Sequence, residues 1–203
     1  MITIPILSVC FLAALSCKIK KAKAPVLRLL LWYLHLVFAA FALLCLLLMI
    51  NNYGFKGTQT ERVFFTLYAG TGMLLYGLTK PGNDARYAYL LCLFGFPLLL
   101  FLGLLLPPLR IITLVAGITL LCDSNFHRYP IDDDYALQTK SNGILSAWPD
   151  YSLVEDKYFL FEKITPDIIK PRDEVHFIRM AKTNADSVRI QVNRVDTTIR
   201  IGN

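Results

Sequence analysis

Apolar and polar positions are sharply partitioned along the chain. From Ile2 to Cys122, runs of aliphatic and aromatic residues are broken only by short charged or glycine-containing stretches; from Asp123 onward, apolar residues alternate with polar ones. The first pattern predicts helices that are apolar around most of their circumference. The second predicts short strands with one buried face.

Five apolar runs define the first part, at 2–17, 29–50, 63–79, 87–106 and 109–122. A helix that crosses a bilayer needs roughly 20 apolar residues, with about 17–25 tolerated. Leu29–Ile50 meets this most fully, with Arg28 before it and Trp32-Tyr33 as an aromatic anchor near one end. Ile2–Cys17 is short, and Lys18 and Lys20 extend it by snorkelling. Its charge follows the apolar run, in "KIKKAK", whereas a signal peptide carries charge before it, so a retained first helix is expected. Val63–Thr79 has minimal length, and Tyr87–Leu106 is long enough, with Pro97 placed to kink it.

Leu109–Cys122 decides the topology. Its fourteen residues span roughly 21 Å as a helix, against a hydrocarbon core of about 30 Å. Pro107-Pro108 suits a tight turn between two antiparallel helices. A fifth crossing is the expectation.

The charge distribution then sets an orientation. Residues 1–122 hold ten Lys/Arg and two acids, Glu61 and Asp84, while 123–203 hold eleven and thirteen. Lys18, Lys20, Lys21, Lys23, Arg28, Lys80 and Arg86 fall on one side of a five-span bundle, and Lys56, Arg62 and Arg110 on the other. The positive-inside rule places the amino terminus outside and the tail in the cytoplasm; with four spans the tail moves outside. All five cysteines lie in or beside the apolar runs, and a cysteine-free tail agrees with a cytoplasmic setting. The short chain without further targeting signals is expected in a bacterial inner membrane. A tail with net charge −2 offers no basic groove for nucleic acid.

Residues 123–134 are expected to form a hinge and 135–203 a small antiparallel β domain, a sandwich or partly open barrel. "YALQTK" (135–140), "SVRIQVN" (187–193) and "DTTIRI" (196–201) alternate with period two. "KYFLFEK" (157–163) reads as a strand buried on both faces, and "ITPDIIKPRDE" (164–174) as a loop.

Candidate chemistry is sparse. The runs contain no Asp or Glu, which disfavours proton or sodium coupling through a mid-membrane carboxylate. His35, inside the second run, is either a proton relay or cofactor ligand, or a neutral histidine bonded to a neighbouring helix. "AGTG" (69–72), with Thr66 four residues before Gly70, suggests close helix packing. "HRYPIDDD" gathers His127, Asp132, Asp133 and Asp134 but lacks the glycine and ligand spacing of a calcium loop, so a solvated hinge is expected. His176 has no catalytic neighbour in sequence. Lys18, Lys20, Lys21, Lys23 and Arg28 form a membrane-surface cluster able to attract anionic lipid headgroups. No zinc, nucleophile-elbow, phosphate-loop or dinucleotide fingerprint occurs, and no cofactor is expected.

The expectation is a polytopic bundle of four or five transmembrane helices followed by a β domain. Functionally it reads as a non-enzymatic accessory, assembly or regulatory subunit, with the lipid bilayer and a protein bound by the β domain as partners. A small channel or transporter component, built as a homo-oligomer, is the alternative. A lipid-acting enzyme ranks third.

Overall fold

The computed structural model describes residues 3–21, 24–57, 59–121, 127–132, 134–140, 150–157, 159–169, 177–184, 187–192 and 195–200. They divide into two compact units. The first comprises Met1–Leu47 and Gln59–Asp123, the second Leu48–Thr58 and Ser124–Asn203.

The first unit is helical, with α1 (Thr3–Ile19), α2 (Pro25–Ile50), α3 (Thr60–Leu78), α4 (Ala85–Leu105) and α5 (Arg110–Leu121). Each apolar run of the sequence falls on one of these helices. By length and composition, α2 and α4 can cross a membrane; α1 is apolar but shorter. Pro25 opens α2 at the first helical position, where its missing N–H costs nothing and its fixed φ suits the helix. The twelve described residues of α5 reach roughly 18 Å.

Small residues let these helices approach closely. A Cβ added at Gly77 would lie 2.5 Å from the Ala14 carbonyl oxygen, so the backbones of α1 and α3 are in direct contact there. One turn pair earlier, Gly70 faces the Cys10 sulfur. Ala14, Met73 and Phe94 form the buried core of the unit, and Phe11 stacks on Phe94 with ring centroids 4.8 Å apart. Gly103 makes room in the same way for Thr113 between α4 and α5. The outer faces stay apolar, with Leu30, Leu47, Leu99 and Ile111 exposed.

The second unit is all-β. Its five-stranded antiparallel sheet has the order β1 (Tyr53–Phe55), β5 (Phe161–Ile169), β4 (Asp150–Asp156), β3 (Tyr135–Lys140), β2 (Arg128–Pro130). Its three-stranded sheet runs β6 (Ile178–Asn184), β7 (Ser187–Val192), β8 (Val195–Arg200). Period-two alternation puts Val188, Ile190 and Val192 of β7 on one face, where they meet Leu137, Tyr151, Leu153 and Ile169 of the larger sheet. The two sheets therefore pack face to face as a sandwich.

Three sequence expectations change. Lys157, Phe159 and Leu160 lie between β4 and β5, with Phe159 92% exposed, so only Phe161–Lys163 of "KYFLFEK" are strand among its described residues. Ile164–Ile169, expected as loop, continues β5, because a bulge in β4 between Tyr151 and Leu153 lets the pairing resume beyond Pro166. The expected hinge carries strand β2, whose Tyr129 pairs with Leu137. The "SNG" turn and "ILSAW" lie outside the described residues.

The fourth change is topological. Asn52 takes a left-handed φ of 59°, which ends α2, and the chain enters β1 directly. Tyr53, Gly54 and Phe55 pair with Lys163, Glu162 and Phe161. The Asn52 carbonyl also accepts from the Ile164 N–H, and the Leu160 carbonyl from the Lys56 N–H. The connection between α2 and α3 thus belongs to the same sheet as the C-terminal strands. A chain that crosses a bilayer between Phe55 and Phe161 can close this ladder only with an even number of crossings. A count of three, by α3, α4 and α5 together, would separate the two strands.

Candidate functional site: a buried histidine centre

His35 lies at the contact of α2, α3 and α4 and is 1% exposed. Its ring stacks on Tyr68 with centroids 4.9 Å apart and 12° between planes, and the Trp32 ring meets it edge-on at 6.1 Å. Gly72 leaves the space: a Cβ there would sit 3.2 Å from His35 Cε1. Nδ1 lies 2.9 Å from Thr71 Oγ1 and Nε2 2.7 Å from the Tyr89 hydroxyl, which in turn lies 2.6 Å from the Tyr68 hydroxyl.

The proton positions follow from donor arithmetic. Thr71 Oγ1 donates its single proton back to the α3 backbone, 2.8 Å from the Leu67 carbonyl. It therefore accepts from His35, whose proton sits on Nδ1. Nε2 is then an acceptor, Tyr89 donates to it, and Tyr68 donates to Tyr89. With the imidazole neutral in this tautomer, every group in the set is satisfied. At Thr71 the chain of bonds ends on a backbone carbonyl. This geometry cross-links three helices.

His35 is the sequence candidate that the structure surrounds with partners. His127 is exposed, and its backbone N–H donates to Thr139 Oγ1 at 2.8 Å, a strand-edge contact. Asp132 Oδ1 accepts from the N–H groups of Asp134 and Tyr135, at 3.1 and 2.8 Å, and so shapes the turn between β2 and β3. Asp133 and His176 lie outside the described residues, as does Lys23. Among the described residues no three His, Cys, Asp or Glu side chains gather as a metal site.

Two groupings were not legible beforehand. Lys18, read as a surface lysine, donates to the Thr79 carbonyl at 2.9 Å and sits over the rings of Tyr76 and Tyr87, 4.4 and 5.1 Å from their centroids. In the β unit, Arg128 donates to Gln138 Oε1 at 2.9 Å and to Glu162 Oε1 at 2.6 Å. Glu162 is buried, and its Oε2 has no hydrogen-bond partner among the described residues. Outside the membrane-type helices, Tyr135 is held neutral most strongly. Burial and the carboxylates of Glu155, Asp134 and Asp132 push its hydroxyl up to about 12.

No protein family, curated protein or solved structure matches this chain.

Proposed function

We propose that the chain is an integral membrane accessory subunit whose anchored β sandwich binds another protein. In this reading α1 to α4 cross the bilayer and α5 stops short. The even count of two crossings between β1 and β5 agrees with their pairing.

Positive-inside then assigns the sides. The connections after α1 and α3 carry Lys18, Lys20, Lys21, Lys23, Arg28, Lys80 and Arg86 and face the cytoplasm. The sandwich faces outward, in a bacterium toward the space outside the inner membrane. A self-satisfied histidine centre fits a helical unit that serves as anchor rather than as proton path.

One observation carries the binding role. The three-stranded sheet ends on β8, six residues long and bonded only to β7 among the described residues. An open edge offers a row of backbone donors and acceptors for strand addition by a partner. A photocrosslinking amino acid in place of Thr198, which is exposed on β8, tests this in native membranes. A single discrete adduct, lost when the residue is moved to buried Val188, is expected. No adduct, together with solute flux through liposomes holding the purified chain, would favour the channel reading instead.

A further inference from the structure

The ends of α1, α2 and α3 enclose a cavity of about 620 Å³ whose lining includes Lys18, Lys21, Arg28, Thr79 and Lys80. Four cations from three separate segments converge on it, and among the described residues no carboxylate lines it. Such a concentration of one sign is self-repelling unless an anion shares it.

The cavity is also built. Lys18 is fixed by its bond to the Thr79 carbonyl and by the two tyrosine rings. Lys21 is held at the end of α1 with a left-handed φ of 49°. Ala24 and Pro25 belong to the lining, so the first turn of α2, with its free N–H groups and positive dipole end, borders the same space. The volume lies within the range of about 300–1,000 Å³ typical of small-molecule sites.

We infer that this cavity binds a phosphate-bearing anion, supplied as the headgroup of an anionic phospholipid. The headgroup source rests on the four-crossing reading, which puts the cavity at the cytoplasmic surface, where anionic lipid collects. The anion chemistry itself depends only on the lining. A headgroup seated there joins α1, α2 and α3 at the ends of their apolar stretches and pins the bundle at bilayer depth.

The test uses the full chain in uncharged detergent, with thermal unfolding followed against dihexanoyl-phosphatidylglycerol, dihexanoyl-phosphatidylcholine and inorganic phosphate. A saturable rise in Tm with phosphatidylglycerol alone is expected. The pair Arg28→Gln/Lys80→Gln should weaken it about thirtyfold, two basic groups being removed from an anion site. The pair Lys20→Gln/Arg86→Gln, equal in charge but outside the lining, should bind as wild type. Equal stabilisation by inorganic phosphate keeps the anion site and overturns its lipid source. Equal loss in both pairs, or no rise with any anion, overturns the site. Should the cavity pair not fold, native mass spectrometry of the wild type decides: anionic lipid enriched over the host membrane's composition supports the site, and a matching composition overturns it. Retention of the chain in carbonate-washed membranes reports separately on the membrane reading.

Discussion

Phe55, five residues beyond the end of the apolar helix α2, stands opposite Phe161 in one antiparallel ladder, with ring centroids 5.3 Å apart. That pairing joins a short interhelical connection to a domain that begins some 70 residues later. In the proposed membrane setting it also requires an even number of crossings between the two residues.

The statement can be checked by accessibility. On a cysteine-free background, single cysteines at Lys56 and at Thr198, both exposed, should react with a membrane-impermeant thiol reagent from the same side. A cysteine at exposed Lys80 should react from the other. Labelling of positions 56 and 198 from opposite sides would falsify the four-crossing arrangement.

His35→Leu should destabilise the helical unit by about 2–4 kcal/mol, since Thr71 and Tyr89 lose a shared buried partner and a well-filled site is repacked. Tyr89→Phe should cost about 1–2 kcal/mol, leaving Nε2 without its donor. Reversible unfolding in detergent measures both. The two losses should be less than additive in the double variant, because they remove the same bond.

Two glycines make a matched pair. Gly77→Ala drives a methyl into the Ala14 backbone and should cost about 1–3 kcal/mol or prevent α1 docking. Gly95→Ala, with nothing within 4 Å of the added carbon, should be neutral or stabilising by up to about 1 kcal/mol. Melting temperatures of the two variants decide between close packing and mere helix propensity.

In the sandwich, Arg128→Met strands the buried Glu162 carboxylate and should cost about 3–5 kcal/mol. Replacing both, Arg128→Met with Glu162→Met, should recover most of that loss, because no uncompensated charge then remains. Urea unfolding followed by far-UV circular dichroism reads this out.

The raised hydroxyl of Tyr135 has a definite sign. A group that holds its proton more tightly folded than unfolded contributes stability fully below its unfolded value near 10, and loses it as pH rises through about 12. The β unit should therefore weaken between pH 10 and 12. Tyr135→Phe should flatten that dependence, at the expense of the bond to Glu155 Oε1. An identical pH profile in the variant would assign the loss to other groups.

The sequence by itself determined the kind of element at each place. Hydrophobic runs without acids make helices wherever they meet, and alternation in 187–192 buries Val188, Ile190 and Val192. Both are local consequences of side-chain periodicity. His35 was visible as an anomaly in an apolar run, but its partners on α3 and α4 were not, because hydrogen bonds between helices leave no spacing signature. Tertiary structure alone decided the rest. Lys18 and Lys80 share a cavity only because α1 and α3 meet through glycines. Tyr53–Phe55 is three residues long, too short to carry a period, and its backbone becomes a strand because β5 supplies the hydrogen bonds. The physical reason is that pairing energy belongs to both strands, so a three-residue strand cannot be read from its own sequence.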